Sequence, residues 1–325
     1  MIVSHSFAIL NKSSIEPLSK ITNGKLELSG VGLTIFFFIS GYFVTKSARD
    51  SANIQQYVKK RILRIYPALI VLVIGSVFFA GPLLSTFSVQ QYFSSKESWL
   101  YLFTASGLRI RMNLPGVFSS SHFFINAFNA SLWTIALEIK LYFSLGIMLG
   151  LGIFKNKKLS IGICLLVIFV CFITVAFNQE LSFNLKRHLN LIGIFYLGAF
   201  TYSASLSNRT VQSIFLASFI FFVIFSVINI HQFNPFPLCL VSMCMLVFYT
   251  GFTKKIQVHL NTDISYGLYI YAFPVQQTIF MFSVSNSPLF FFLKSLALTL
   301  PFAIASWYCI EKKFIKLKYK GHIAG

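Results

Sequence analysis

The sequence predicts an all-α, polytopic integral membrane protein: a bundle of about ten transmembrane helices forming one membrane-embedded domain over residues 1–325. Three observations predict this class. The chain is 56% hydrophobic and 11% charged, whereas a soluble domain carries roughly 25% charged residues. A soluble fold of this composition would expose large apolar patches. The apolar residues also form long runs, which leave no room for a separate soluble domain.

Nine of these runs are predicted to be helices that cross the hydrocarbon layer. They cover residues 31–46, 66–84, 131–154, 159–177, 189–206, 211–230, 237–253, 263–283 and 288–311. Residues 1–10 are apolar but too short to cross, so we expect them to be the second half of a first helix that is truncated at Met1.

Two segments between the runs have their own patterns. Residues 54–64 (IQQYVKKRILR) interleave apolar residues with bases, which predicts an amphipathic helix at the inner membrane surface. Residues 85–130 form the longest outer segment and are expected to contain an interfacial or re-entrant piece. Neither segment is large enough to be a soluble catalytic domain, so any chemistry must be done by the membrane helices and their loops.

The net charge of +19 predicts the orientation of the chain. Alternate connections hold 17 and eight of the Lys and Arg residues, and the richer set is expected to face the cytoplasm. Both termini are then cytoplasmic. Because the bases lie in short clusters between apolar runs and no nucleic-acid-binding motif is present, we expect no nucleic-acid partner.

A stripe of polar residues lies in the third run, where lipid would otherwise be expected. Ser131, Thr134, Glu138 and Tyr142 recur at spacings of three and four, so they share one face of a helix. Polar groups within a span are costly and often functional. The stripe indicates either a functional cavity or a structural cluster of hydrogen bonds between helices.

By this map, His5 is the one histidine of six that lies inside an apolar helical segment. Imidazole suits the removal of a proton from a hydroxyl near neutral pH, although a lone histidine is more often structural. The predicted cytoplasmic end of the second run carries Arg61, Arg64 and Tyr66. Arginine forks suit phosphate recognition, and the alternative is a determinant of topology.

Two further runs carry polar residues with two interpretations each. Ser40 and Gly41 indicate either a binding surface or close packing of helices through small residues. Tyr269 and Gln276 share a face of the eighth run, in which Pro274 should kink the helix and expose backbone carbonyls to a partner or cavity. A simple packing kink is the alternative.

Taken together, the segments resemble the membrane acyltransferase 3 family, whose better-known members O-acetylate bacterial surface polysaccharides. The resemblance rests on the order and spacing of seven blocks. They are VSHSF (3–7), GVGLTIFFFISGYFVTK (30–46), KKRILRIYPAL (59–69), NASLWTIALEIKLYF (129–143), FYLGAFTY (195–202), ISYGLYIYAFPVQQ (264–277) and WYCIEKKF (307–314).

This resemblance implies a bacterial inner-membrane enzyme that takes an acyl group from acetyl-CoA or another acyl-CoA on the cytoplasmic side. The acceptor would be a hydroxyl of a cell-surface carbohydrate, free or lipid-linked. The family's essential histidine corresponds to His5, its basic motif to Arg61 and Arg64, and its helix-borne glutamate to Glu138. A basic residue that the family places about ten positions before the histidine would precede Met1, which fits a truncated first helix.

The resulting hypothesis gives each candidate a role. His5 acts as general base or as covalent acyl carrier, and Glu138 orients the imidazole or the sugar. Arg61 and Arg64, with Tyr66 beside them, bind the CoA phosphates. The remaining candidates are expected to bind substrate, with Trp133 stacking on a sugar ring: Ser40, Ser131, Trp133, Tyr142, Tyr269 and Gln276.

The partners expected on this hypothesis are acyl-CoA, the carbohydrate and membrane lipids, with no metal. Two other functions also fit the buried polar residues and the proline-containing helix. One is a non-enzymatic transporter or flippase for a lipid-linked glycan. The other is an accessory membrane subunit without a ligand.

Overall fold

The computed structural model describes residues 1–119, 124, 126–228, 234–251, 262–283 and 287–317. These residues contain no β-strand and form two isolated β-bridges, between Ser85 and Val117 and between Asn113 and Ala127. The predicted all-α class is therefore confirmed for the part of the chain that is described.

Fifteen α-helices occur in these ranges. In chain order they are α1 (Ile2–Ile9), α2 (Pro17–Ile21), α3 (Leu28–Arg49), α4 (Ile54–Gly75), α5 (Gly81–Leu84), α6 (Val89–Ser94), α7 (Lys96–Leu100), α8 (Trp133–Gly150), α9 (Lys157–Phe177), α10 (Phe183–Ala204), α11 (Asn208–Ile228), α12 (Phe236–Gly251), α13 (Ser265–Phe282), α14 (Pro288–Ser306) and α15 (Lys312–Lys316). Short 3₁₀-helices lie at Ser13–Ile15, Tyr101–Ser106, Ala130–Leu132 and Ile153–Lys155, and π-helical turns lie at Ser76–Ala80 and Trp307–Glu311.

Six helical segments of the described chain are long and apolar enough to cross a membrane. They are Leu28–Arg49, Ile54–Leu84, Ala130–Gly150, Lys157–Phe177, Asn208–Ser226 and Pro288–Lys316. The protein is thus an integral membrane protein. Three other predicted spans form helices that are shorter or more polar: α12 has 16 residues, α10 begins with a basic turn, and α13 is rich in tyrosine and glutamine. The count of about ten spans stays a prediction.

The basic segment 54–64 is continuous with the span that follows it. One helical stretch of 31 residues runs from Ile54 to Leu84. No glycine or proline lies within residues 54–64, and the helix continues through Pro67. At 1.5 Å per residue the stretch is about 46 Å long, so it exceeds a hydrocarbon core of about 30 Å. Residues 54–64 are therefore helical as predicted, and their location at the inner membrane surface stays a prediction.

The outer segment holds short helices rather than a span. It contains α6, α7 and the 3₁₀-helix Tyr101–Ser106. The side chains of Tyr92 and Tyr101 are fully buried, so the segment is packed against the rest of its unit. The interfacial or re-entrant character that we expected stays a prediction.

The chain divides into two compact units. The first comprises Met1–Gly30, Val58–Lys140 and Leu260–Gly325, and the second comprises Val31–Tyr57 and Leu141–His259. In the first unit, α1 packs on α13 and α14. Ile9, Ile279 and Phe291 form a buried cluster where these three helices meet.

In the second unit, α9 packs on α10 and α11 packs on α12. Helices α3 and α10 also approach each other closely, through glycines on both sides. A Cβ added to Gly41 would lie 1.9 Å from the carbonyl oxygen of Phe195, and one added to Gly198 would lie 2.1 Å from that of Phe38. The interpretation of Gly41 as a small residue that lets two helices touch is therefore confirmed.

Candidate functional site

Helix α1 carries His5 and is held in place by α13. An isolated helix of eight residues is unstable in water, so α1 depends on contacts with its neighbours. Gln276 supplies two of them, because its Nε2 donates to the Ile2 carbonyl over 2.9 Å and to Ser6 Oγ over 3.0 Å. The Gln276 side chain is fully buried. The structure therefore gives Gln276, a predicted substrate ligand, an anchoring contact with α1.

The His5 ring packs against an aromatic ring of α13. The centroids of His5 and Phe273 lie 5.3 Å apart with the ring planes at 88°, which is an edge-to-face contact. His5 is half-buried. One part of the sequence interpretation was wrong: α10 begins at Phe183, so His188 also lies within a helix. The other four histidines lie outside the described residues.

A buried carboxylate that the sequence analysis missed fixes the residue before His5. Glu16 is 2% exposed and accepts three hydrogen bonds. The donors are Ser4 Oγ at 2.9 Å, the backbone N–H of Ser19 at 2.9 Å and the backbone N–H of Leu28 at 2.7 Å. One side chain thus connects α1, the first turn of α2 and the start of α3. The available signal was the rarity of acidic residues, eight in a chain with 27 bases.

The polar stripe of α8 faces a helix neighbour, as one of its two interpretations predicted. Thr134 Oγ1 is hydrogen bonded to the Tyr269 hydroxyl, which also contacts the Ser131 carbonyl at 2.6 Å. Glu138 lies one turn further along α8 and is 7% exposed. Trp133 stands half-buried at the start of α8. Hydroxyl groups of two helices therefore meet one turn before a buried carboxyl group.

Pro274 leaves a backbone carbonyl of α13 without its helical donor, and a neighbouring side chain supplies the missing hydrogen bond. Proline has no N–H, so the carbonyl of Ile270, four residues earlier, lacks its helical donor. Asn129 Nδ2 donates to this oxygen over 2.8 Å. Ser131 Oγ in turn donates to Asn129 Oδ1 over 2.6 Å, which orients the amide. The prediction that Pro274 offers a carbonyl to a partner is confirmed, and Asn129 is the partner that the sequence analysis missed.

One face of α13 therefore connects these groups. Tyr269, Phe273 and Gln276 recur at spacings of four and three, so they share a face. Tyr269 contacts the α8 stripe, whereas Phe273 and Gln276 contact the helix that carries His5. An imidazole and a set of hydroxyl groups thus lie along one face of α13, on a scaffold of buried hydrogen bonds.

Ser40 and Tyr142 belong to the second unit and contact each other there. Ser40 Oγ lies 3.3 Å from the Tyr142 hydroxyl. The Tyr57 hydroxyl donates to the Tyr142 carbonyl over 2.8 Å, and Tyr57 is 1% exposed. These contacts are of the kind that hold helices together within a membrane protein.

Arg64 is bound by two carboxylates that the sequence analysis did not connect with it. Its Nη2 lies 2.7 Å from Asp263 Oδ2, and its Nη1 lies 3.5 Å from Glu311 Oε2. Arg61 stands about one turn earlier on α4 and is half-buried. The Tyr66 hydroxyl donates to the Ser106 carbonyl over 2.8 Å.

Local backbone geometry positions both acidic partners. The π-helical turn Trp307–Glu311 follows Ser306, and a π-helix places residues five apart on one face. Ser306 Oγ accordingly donates to Glu311 Oε1 over 2.8 Å. Ser265 Oγ donates to Asp263 Oδ1 over 2.5 Å at the start of α13. Burial raises the pKa of Asp263, but the Ser265 hydroxyl and the Arg64 guanidinium outweigh it and hold the pKa below its usual value.

Comparison with known proteins identifies the chain's family. A family model described as "Acyltransferase domain" matches residues 1–308, which include His5, Arg61, Arg64 and Glu138. The chain belongs to the membrane acyltransferase 3 family. It is therefore an acyltransferase, rather than a non-enzymatic transporter or an accessory subunit.

Two curated relatives are similar in sequence to this acyltransferase. The chain is 30% identical to the "O-acetyl transferase" of Shigella phage Sf6, over 97% of its own length and 92% of the relative's. It is also 30% identical to "Nodulation protein 10" of Rhizobium leguminosarum bv. viciae, over 41% of the chain and 37% of that protein. No solved structure gives a significant match.

Proposed function

We propose that this acyltransferase moves an acetyl group from acetyl-CoA to a hydroxyl of a cell-surface carbohydrate such as an O-antigen, capsule or exopolysaccharide. The observation that carries the proposal is the match along nearly the whole chain to a protein named O-acetyl transferase. That match covers 92% of the relative, so the similarity extends over the whole membrane domain and not over one helix or loop. An acyl-CoA donor fits this class of reaction, since a thioester is an activated acyl group.

His5 is the proposed base. One imidazole nitrogen takes the proton of the acceptor hydroxyl while its oxygen attacks the thioester carbonyl. An ester C–O bond forms, the C–S bond breaks, and the imidazolium returns the proton to the departing CoA thiolate. In a covalent alternative, an imidazole nitrogen of His5 attacks the thioester carbonyl, the C–S bond breaks and CoA leaves as the thiolate. The acceptor oxygen then attacks the acyl-imidazole, the C–N bond breaks, and the hydroxyl proton passes to the thiolate. The support is the location of His5 on a short helix anchored by Gln276 and, through Ser4, by Glu16.

The α8 stripe is proposed to complete the reaction site. Glu138 is buried in a helix whose preceding turn is hydrogen bonded to Tyr269. A carboxylate there would orient the His5 imidazole or a sugar hydroxyl. Ser131, Trp133 and Tyr269 would shape the pocket, with the indole stacking on a sugar ring. The proposed ligand roles of Ser40, Tyr142 and Gln276 would add to the contacts that hold their helices.

The donor is proposed to bind at the basic end of α4. Arg61 and Arg64 would hold CoA phosphates, with Tyr66 beside them. Guanidinium forks match phosphate oxygens, and their position at the predicted cytoplasmic end suits a cytoplasmic donor. The enzyme is proposed to lie in the bacterial inner membrane with both termini in the cytoplasm, and its acceptor to be reached from within or across the bilayer.

A two-part assay tests the proposal. Purified protein in lipid nanodiscs is incubated with acetyl-CoA and the host's surface glycan. Free thiol and acetyl esters on the glycan are then measured. Both products should appear in equal amounts. Esters formed from a different acyl donor, with acetyl-CoA intact, would contradict the proposed donor. Thiol release without glycan esters would contradict the proposed acceptor.

A further inference from the structure

We propose that Asp263 is an exchangeable counterion of Arg64, occupying the position that a donor phosphate takes, while Glu311 is its permanent partner. The inference rests on the proposed function, because it assumes that Arg64 binds the phosphates of acyl-CoA. It adds a role for two acidic residues, which would control how tightly the donor binds.

The geometry distinguishes the two carboxylates. Asp263 lies closer to the guanidinium, at 2.7 Å against 3.5 Å, yet its side chain is 48% exposed while that of Glu311 is 1% exposed. An ion pair at an exposed position contributes little to stability and is easily exchanged. A buried carboxylate that loses its cation is strongly penalised. Arg64 should therefore release Asp263 readily and retain Glu311.

Each carboxylate also accepts a hydrogen bond from a serine, which the exchange would leave intact. Asp263 Oδ1 accepts from Ser265 Oγ, so the oxygen that faces Arg64 is the one that gives up its partner. Glu311 Oε1 accepts from Ser306 Oγ and holds Oε2 toward the guanidinium. The Arg64 guanidinium carbon also lies 5.8 Å from the centre of the Tyr266 ring, which restricts its direction. Arg64 thus contacts a buried carboxylate and a half-buried aromatic ring in addition to the exposed carboxylate of Asp263.

Removing the charge of Asp263 and removing the charge of Glu311 should have opposite effects on donor binding. With both ionised, one guanidinium faces two carboxylates, and an incoming phosphate meets the exposed one. Removing the charge of Asp263 abolishes this competition and should strengthen donor binding. Removing the charge of Glu311 loosens the orientation of Arg64 and should weaken it.

The test is a binding titration of the full chain with coenzyme A. The protein is placed in phosphatidylcholine nanodiscs, so that anionic lipid headgroups do not compete for Arg64. Asp263→Asn should lower the Kd about twofold to fivefold, the range expected for an exposed charge pair. The gain should shrink as salt is added. Glu311→Gln should raise the Kd. Asp50→Asn, the same substitution at an exposed residue outside the cluster, should leave it unchanged.

The outcomes separate the inference from the proposed function. Wild-type protein that does not bind coenzyme A would contradict the proposed donor. Wild-type protein that binds it, with an unchanged or raised Kd in Asp263→Asn, would overturn the inference and leave the donor in place. Because Asp263 is half-exposed, this variant should fold, and its elution profile and apparent Tm confirm that. If Glu311→Gln does not fold, the direction of the change in Kd for coenzyme A in Asp263→Asn still tests the inference.

Discussion

The Asn129 side chain supplies the hydrogen bond that Pro274 cannot make. Asn129 Nδ2 donates to the Ile270 carbonyl over 2.8 Å, and this is the oxygen that a non-proline residue at position 274 would engage through its backbone N–H. Asn129 is fully buried. This hydrogen bond holds the segment that leads into α8 against α13. Helix α13 is the one that contacts both His5 and the polar stripe.

A double-mutant cycle tests this relationship. Asn129→Ala leaves the Ile270 carbonyl buried without its donor, which should cost about 1–3 kcal/mol and lower the apparent Tm. Pro274→Ala restores a backbone N–H to α13, so Asn129→Ala should cost less in that background. The measurement is thermal unfolding of the four proteins in one detergent. Additive shifts in Tm would show that Asn129 does not compensate for Pro274.

Gln276 should support activity by positioning α1. Gln276→Leu removes the donor to Ile2 and Ser6, so α1 loses its anchor and His5 moves from its position. We expect kcat to fall about tenfold or more. Gln277→Leu is the matched control. Its Nε2 donates to the Ala127 carbonyl over 3.2 Å and to the Phe124 carbonyl over 3.3 Å, and it is equally buried. Equal losses of kcat in the two variants, at equal loss of stability, would argue against a positioning role.

Two glycines of α3 should respond in opposite ways to alanine. A methyl group on Gly41 would meet the Phe195 carbonyl, so Gly41→Ala must push α3 from α10 and should destabilise the protein by about 1–3 kcal/mol or more. Gly32 has nothing within 4 Å of the added carbon. Gly32→Ala should be neutral or slightly stabilising, because alanine favours the helix. Similar apparent Tm values for the two variants would contradict the close helix contact.

In protein without bound donor, the Arg64–Asp263 ion pair should be intact near neutral pH and lost in acid. The pKa of Asp263 lies below its ordinary value of 3.8, so the pair contributes stability above that value and loses it as pH falls through the lower, folded pKa. The contribution is small, since Asp263 is half-exposed. The difference in apparent Tm between wild type and Asp263→Asn should be constant from pH 5 to pH 8 and shrink below about pH 4. A difference that disappears between pH 5 and pH 8 would contradict this assignment.

Local pattern and composition were enough to predict the class of fold and most helix positions. Apolar runs located the helices, and the spacing of Ser131, Thr134 and Glu138 correctly indicated a face that meets another helix. The effect of Pro274 was predicted correctly, because a proline lacks a backbone N–H and so leaves a carbonyl of the same helix without its donor. Residues 54–64 were correctly predicted to be helical, but their continuity with the following span was not predicted, because the change from basic to apolar residues suggests a boundary.

The contacts of the site could not be predicted, because their partners are distant along the chain. Asp263 lies 199 residues from Arg64, and nothing local indicates that they meet. Glu16 fixes Ser4 and Leu28 at once, which depends on how two short helices pack against the start of α3. The signal that Asp263 and Glu16 share in the sequence is compositional, because each is one of eight acidic residues in a strongly basic chain.

The most direct test of the account is the activity of His5→Ala toward acetyl-CoA and the glycan. His188→Ala, at the other described histidine, is the control. General-base catalysis predicts that His5→Ala lowers glycan acetylation by at least about 100-fold while the protein still folds and binds coenzyme A. His188→Ala should retain wild-type turnover. Undiminished acetylation in His5→Ala would contradict the central claim that this imidazole performs the chemistry.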